Sequence, residues 1–172
     1  MGMKAPVVVA TALVALATAA PDVTVLAGRA VALLHSQTQF RKAVLLEAEG
    51  TPATSRSVAT ARGIVKWRFV FDNQETGGPY KSATVLAVRG HLGIVRGNTA
   101  PFLDDQIIHV IPKMTLTVAI EYFDYAGYSR FYAVTLRKPL YPGVQHPEYI
   151  FTIAGGKYVA VDATTGQVSP VS

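Results

Sequence analysis

The spacing of hydrophobic residues changes several times along the chain, and each change predicts a new structural element. In residues 23–49 apolar side chains recur every three or four positions, at Leu26, Ala30, Leu33, Phe40 and Val44. This spacing predicts a long amphipathic helix, which Gly50 would end. The following residues 51–60 are rich in Ser, Thr and Pro, and we expect them to form a loop.

The period switches to two in residues 63–73, where apolar and polar side chains alternate, as expected for a half-buried antiparallel strand. The buried face of this strand would hold Val65, Trp67, Phe69 and Phe71. Lys66 and Arg68 would point to the opposite, exposed face. Two further strands are predicted at residues 82–89 and 92–96, on either side of a glycine turn.

The same order of elements is predicted again after a proline-bounded connector, residues 99–114. Thr115 is placed to cap a helix that Gly127 would close. A tight turn at Gly155-Gly156 joins two of the strands that follow, which we expect at residues 130–138, 148–154, 157–162 and 167–171.

This repetition predicts an α+β fold that contains one kind of unit twice. Each unit would be a helix followed by antiparallel strands, first in residues 21–98 and again in residues 115–172. Residues 99–114 would connect the two units, which would form one continuous sheet or two paired sheets.

Residues 1–20 have the layout of a secretory signal peptide. Lys4 precedes the unbroken apolar stretch of residues 5–17, and a small-x-small triplet ends at Ala19. This stretch is short for a membrane span, and no second stretch of membrane length follows it. We therefore expect a secreted or periplasmic mature protein without a membrane span. The alternative is that the stretch forms the first helix or strand of the fold.

Composition narrows the choice of partner and chemistry. Half of the residues are hydrophobic, which is enough for a folded core, and the absence of cysteine excludes disulfides and thiolate chemistry. The net charge of +5 favours an acidic partner. Because the basic residues are scattered rather than clustered in a run, we do not expect nucleic-acid binding.

Two segments of the second unit carry a family resemblance. They are the helix MTLTVAIEYFDYAGY, residues 114–128, and the ending EYIFTIAGGKYVAVDATTGQVSPV, residues 148–171. An Ala-Ile helix that ends at glycine, followed by a hairpin of the form Tyr-Val-x-Val-Asp-x-x-Thr-Gly, resembles PepSY-type domains and implies their cystatin-like fold. In that hairpin Asp162 would accept backbone N–H bonds, and Gly166 would supply a positive φ. For the first unit the resemblance rests on element order alone.

Two such units in tandem are also similar in architecture to the secreted bacterial inhibitors of β-lactamases. This similarity implies a protein that binds and inhibits an enzyme. The target does not follow, because those inhibitors carry disulfides and this chain has no cysteine.

The sequence contains no motif for catalysis, metal binding or cofactor binding. The histidines do not form a ligand cluster, the glycine pairs lack the following helix of a phosphate site, and no Ser-centred hydrolase elbow occurs. We therefore expect no catalytic residue, metal or cofactor. The alternative is a small-ligand-binding or catalytic α+β cone, in which His91 or His109 would act with Asp105 in a pocket.

A protein-binding surface is the function that these residues favour. Basic residues alternate with apolar ones on predicted strands, and tyrosines, which are favoured at interfaces, lie in turns and at a helix end. We predict partner contacts at Lys66, Arg68, Tyr80, Arg89, His91, Arg96, Tyr128 and Tyr141. The expected function is a non-catalytic binding module, which could be an inhibitor of an enzyme with an acidic surface. A self-associating protein, dimeric through an exposed strand edge, is a third hypothesis, so both monomer and dimer stay open.

Overall fold

The computed structural model describes residues 21–171, which form an α+β fold of two helices and nine antiparallel strands. Helix α1 is Val23–His35 and helix α2 is Leu116–Tyr125. The strands are β1 Ala43–Pro52, β2 Ile64–Asn73, β3 Ser82–Val88, β4 His91–Asn98, β5 Asp105–Gln106, β6 Ala133–Pro139, β7 Glu148–Ile153, β8 Lys157–Asp162 and β9 Val168–Val171.

All nine strands belong to one sheet. Their order is β4-β3-β2-β1-β6-β7-β8-β9, and the short β5 pairs with the end of β6. Two antiparallel meanders, β1–β4 and β6–β9, therefore meet at the central β1–β6 pair. The edges of the sheet are β4 and β9.

The two helices share one hydrophobic core on one face of this sheet. Ala30 of α1 and Phe123 of α2 are completely buried and belong to the same cluster as Phe69, Val85 and Phe151 of the strands. Residues directly opposite each other on neighbouring strands point to the same face. The other face, here called the helix-free face, can therefore be followed across the sheet as a row, from Leu86 through Arg68, Glu49, Thr135, Ile150 and Ala160.

The predicted helix over residues 23–49 is wrong in its second half. Helix α1 ends at His35, and the following turn leads into β1, which is the central strand of the sheet. The His35 Nε2 lies 2.8 Å from the carbonyl oxygen of Ala43 and links the end of α1 to the start of β1. Strand β1 is rich in Ala, Leu and Glu, which favour helices, but burial between two strands decides its conformation.

The other predicted elements are confirmed with small shifts of their ends. Thr115 caps α2 by accepting a hydrogen bond from the Val118 amide, and the turn between β7 and β8 contains Gly155 and Gly156 at positive φ. The predicted signal peptide, residues 1–20, lies outside the described residues. Within residues 21–171, neither helix is long and apolar enough to cross a membrane.

Candidate functional site

A β-bulge in the central strand β1 decides which of its side chains reach the helix-free face. The pairing register with β2 shifts between Leu45 and Glu47, so Leu46 is an extra residue. In a regular strand without a bulge, Leu45, Glu47 and Glu49 would share a face, because side chains alternate with a period of two. With the bulge, Leu45 lies in the core, whereas both glutamates lie on the helix-free face.

The two glutamates belong to a charge cluster at the centre of the helix-free face. The central charge cluster consists of Glu47, Glu49, Arg68, Asp105 and Arg137. The Arg68 Nη2 lies 2.8 Å from a carboxylate oxygen of each glutamate, and its Nε donates to Glu49 at 3.0 Å. The Arg137 Nε donates to Asp105 Oδ1 at 2.6 Å. The face around Arg68 is therefore an ion-pair network of three carboxyl groups and two arginines, and not the basic surface that the sequence predicted.

Strand β5 contributes Asp105 because it replaces β1 beside β6. The β1–β6 pairing ends at Glu47 and Arg137, next to the bulge. Beyond that point Asp105 pairs with Pro139 of β6, and Ile108 forms a bridge with Leu45. The bulge thus ends the pairing of β1 with β6, and β5 pairs with the remaining part of β6. The Asp105 carboxylate of β5 then lies against Arg137.

Burial changes the acidity of two carboxyl groups in this cluster. Burial raises the pKa of Asp105 to about 6, although the ion pair with Arg137 acts in the opposite direction. The Asp105 side chain is 0% exposed, and within the described residues its Oδ2 has no hydrogen-bond partner. Burial also raises the pKa of Glu47, against the attraction of Arg68. Both groups therefore hold a proton more readily than ordinary carboxylates.

A shallow groove of about 380 Å³ lies over the central charge cluster. Its far side is formed by Tyr141, Ile150 and Tyr158. The Tyr141 hydroxyl donates to Glu148 Oε2 at 2.6 Å, and burial together with this carboxylate raises the pKa of Tyr141. Of the predicted contact residues, Arg68 and Tyr141 are thus brought to one groove.

Four other predicted contact residues lie toward the opposite edge of the sheet. Lys66, Arg89, His91 and Arg96, here called the basic edge, are all exposed on β2 and on the β3–β4 hairpin. Val88 is paired with Lys66 on one side and with His91 on the other, and Arg96 is paired with Thr84. Within residues 21–171, no carboxylate forms an ion pair with any of the four.

The β3–β4 hairpin, which carries most of the basic edge, contains no acidic residue and exposes apolar ones. There is no Asp or Glu between Thr76 and Leu103, a stretch that contains the whole hairpin. Leu86, Val88 and Ile94 are 44%, 51% and 74% exposed. The basic edge is therefore an uncompensated positive surface around apolar side chains.

Two tyrosines predicted as exposed anchors pack against the core instead. The Tyr80 ring lies 5.5 Å from that of Phe40 and fills the space beside Gly97, where a Cβ would come within 2.5 Å of it. The Tyr128 ring stacks on Phe123 at 5.1 Å. Both are half-buried, because each covers an open end of the core, which the sequence pattern does not reveal.

The histidines do not meet Asp105. His91 and His109 are exposed, and within the described residues neither bonds to Asp105. His146 contacts a carboxylate, with its Nδ1 2.9 Å from Asp162 Oδ2. Across residues 21–171, no three His, Asp or Glu side chains are grouped to hold a metal ion.

The predicted turn after β8 is confirmed. Asp162 Oδ1 accepts hydrogen bonds from the Thr164 and Thr165 amides at 2.7 and 2.8 Å, and Gly166 has a φ of 77°. Burial opposes ionisation of Asp162, but these bonds and His146 outweigh it and lower the pKa. This carboxylate stabilises a turn.

The molecule is thus an α+β protein with one antiparallel sheet, a helix-covered face and a helix-free face that carries an ion-paired centre and a basic edge. No family model matches this chain, and neither a curated protein nor a solved structure shows significant similarity to it.

Proposed function

We propose that this chain is a non-catalytic protein-binding module that contacts an acidic partner through its basic edge. The observation that carries the proposal is that the four residues of the basic edge have no ion-pair partner within residues 21–171 and lie around exposed apolar side chains. Exposed apolar residues next to uncompensated charge favour a protein partner. Burial of the apolar residues supplies affinity, and the charge orients the two proteins as they meet.

From their positions we infer different roles for the predicted contact residues. Lys66, Arg89, His91 and Arg96 would contact the partner directly. Arg68 would hold the helix-free face together through its two ion pairs, and Tyr80 and Tyr128 would support the core. Tyr141 lies at the groove over the central charge cluster. It would contact a partner only if that partner covered both this groove and the basic edge.

We also propose that the fold arose from two helix-plus-sheet units of the cystatin-like, PepSY-like kind. Each unit would be one helix and the meander that follows it, α1 with β1–β4 and α2 with β6–β9. The matching element order and the antiparallel β1–β6 contact support this interpretation, since a twofold relation would place the first strand of each unit at the centre. Secretion, and inhibition of an enzyme by the bound module, belong to the same proposal.

The alternative of a ligand-binding or catalytic pocket draws no support from the positions of its residues. Asp105 is bound to Arg137, and His91 and His109 are exposed elsewhere. A general acid or base needs hydrogen-bond reach to a partner group, which this arrangement does not provide for His91 with Asp105.

Isolation of a partner followed by direct titration tests the proposed function. The immobilised protein is used to isolate a binder from the extracellular fraction of the source cells, and the purified binder is titrated by calorimetry. We expect a saturable complex that is lost when Lys66, Arg89 and Arg96 are all changed to Glu. His91 is left intact so that the variant tests charge alone.

A charge-matched variant provides the control. Changing the exposed Arg29, Arg41 and Lys157 to Glu lowers the net charge by the same amount at sites away from the basic edge. This control should keep the complex at about the original affinity. Equal weakening in both triple variants, or in neither, would refute a binding site at the basic edge.

A further inference from the structure

The two edges of the sheet differ in their ability to accept another strand. Strand β9 has only four residues and contains Pro170, which has no N–H to donate. Strand β4 has eight residues and no proline, and within residues 21–171 it pairs on one side only, with β3. Its outer row of backbone N–H and C=O groups is a template for one more strand.

We propose that β4 binds an extended acidic segment of a protein partner as an additional antiparallel or parallel strand of the sheet. This inference rests on the proposed function and specifies how the partner is held. Main-chain hydrogen bonds would supply affinity, and alternate side chains of the bound segment would supply specificity.

A bulge in β4 defines where the added strand would lie. Opposite Leu86 the strand carries two residues, Gly93 and Ile94, and its register with β3 shifts there. From Val95 to Asn98 the pairing is regular. A bulge interrupts a ladder, so the docking segment would be this regular stretch together with the exposed Ile94.

The charge of the edge identifies the chemistry of the occupant. Arg96 points to the helix-free face within the regular stretch, and Arg89 and His91 lie at the other end of the strand. No carboxylate lies between Thr76 and Leu103 to balance them. A bound strand with alternating Glu and apolar residues would place carboxylates near Arg96 on the helix-free face and apolar side chains near Val95 on the helix-covered face, which is the favourable cross-strand combination.

The same charge disfavours a second copy of this chain as the occupant. Two β4 strands paired edge to edge would bring together two segments that carry only positive charges. Like charges on paired strands are destabilising. The observations therefore favour an acidic segment of another protein over self-association.

Peptide binding to the full chain tests this inference. Three fluorescent peptides are compared by anisotropy: acetylated Glu-Val-Glu-Val-Glu-Val, the same peptide with alternate backbone nitrogens methylated, and the corresponding Lys-Val peptide. We expect the acidic peptide to bind about tenfold more tightly than either of the others, because methylation removes main-chain donors and lysine reverses the charge. Hydrogen exchange should show slower exchange of the β4 amides in the complex.

A charge swap separates true specificity from loss of folding. Arg96→Glu should reverse the preference toward the Lys-Val peptide, which a misfolded protein would not do. Lys157→Glu, on the exposed start of β8, should leave the preference unchanged. Equal binding of the methylated peptide, protection away from β4, or a concentration-dependent dimer with protected β4 amides would each overturn strand addition.

These results are distinguishable from failure of the proposed function. A natural partner whose complex depends on the basic edge but leaves the β4 amides exchanging freely contradicts strand addition alone. A partner complex that is insensitive to the charge reversals contradicts the proposed function itself.

Discussion

Asp22 and Leu116, which are 94 positions apart, are joined by a hydrogen bond of 3.0 Å from the Leu116 amide to Asp22 Oδ2. The other oxygen of the same carboxylate caps α1 by accepting from the Thr24 amide and hydroxyl, each at 3.0 Å. The first turn of a helix has N–H groups without intrahelical partners and a partial positive charge. One carboxylate therefore stabilises the starts of both helices and ties them together.

We predict that Asp22→Ala lowers the free energy of unfolding by about 2 to 3 kcal/mol, since two helix starts lose an acceptor at once. The Asn side chain of Asp22→Asn has one acceptor oxygen and should cap α1 alone. In urea denaturation, the free energy of unfolding of Asp22→Asn should therefore lie between those of wild type and Asp22→Ala. Hydrogen exchange should accelerate at the Leu116 amide and not at the Thr24 amide.

The control for this prediction is Asp124→Ala, which removes an exposed carboxylate from the other end of α2. It should change stability by less than about 0.5 kcal/mol. If Asp22→Asn were as stable as wild type, the shared cap would have no energetic role.

Arg68→Ala should be destabilising because it leaves the buried Glu47 without its main counter-charge. The Arg68 side chain is 41% exposed, so solvent screens part of the loss, and we expect about 2 kcal/mol. Adding Glu47→Gln removes the stranded charge and should restore about half of this loss. Guanidinium denaturation of the single and double variants measures the difference. A double variant that is less stable than Arg68→Ala would contradict this account of the cluster.

The raised pKa of Asp105, about 6 in the fold, predicts a specific pH dependence. The folded protein holds this proton more tightly than the unfolded chain, whose aspartates titrate near 3.8. Its contribution to stability is therefore complete below pH 3.8 and is lost as the pH rises through 6. The stability difference between wild type and Asp105→Asn should change by on the order of 2 kcal/mol between pH 4 and 7.

Denaturation curves at several pH values measure this difference, and subtraction removes the slopes of other groups such as Asp162. The exposed Glu121→Gln serves as control for the general effect of replacing a carboxyl group by an amide. A wild-type minus Asp105→Asn difference that is independent of pH would show that the Asp105 pKa is ordinary.

Gly155 and Gly166 form a matched pair for substitution by alanine. Both have positive φ, of 78° and 77°, but a Cβ at Gly155 meets open space, whereas one at Gly166 comes within 2.5 Å of the Tyr122 ring. Gly155→Ala should lower the free energy of unfolding by about 1 kcal/mol, because alanine is strained at positive φ. Gly166→Ala should cost about 1 kcal/mol more, because the Tyr122 ring must leave its place over the turn.

Thermal or urea denaturation measures both costs, and a Tyr122→Ala background separates the two terms. In that background the two alanine substitutions should be equally destabilising. Equal destabilisation by the two substitutions in the wild-type background would show that the Tyr122 ring moves aside without a change in stability.

The strands that the sequence predicted correctly are those with one face in the core and one outside. In β2, Trp67, Phe69 and Phe71 are buried and alternate with residues of the helix-free face, so the period of two is visible. Strand β1 lacks this signal because it lies at the centre of the sheet and Leu46 interrupts its alternation. Its composition, AVLLEAEG, continues the helical pattern of the preceding residues.

The candidate site likewise contains residues that the sequence could predict and residues that it could not. Lys66, Arg89, His91 and Arg96 could be selected from the sequence because they lie on strands or turns whose exposed face was predictable, and the absence of Asp and Glu around the last three is readable in the sequence. The neutralisation of Arg68 could not be predicted, because both of its partners lie on β1. The burial of Tyr80 and Tyr128 likewise depends on contacts with Phe40 and Phe123.

The sequence by itself determined the α+β class, the order of most elements, the turn at Asp162 and the positive surface of the β3–β4 hairpin, because these follow from local spacing and composition. The tertiary structure alone decided that β1 is a strand, that its bulge aims Glu47 and Glu49 at Arg68, and that Asp22 caps two helices. Each of these depends on which residues meet across long separations in the chain. Local patterns carry no information about such pairs, whereas burial and ion pairing in the assembled sheet fix them.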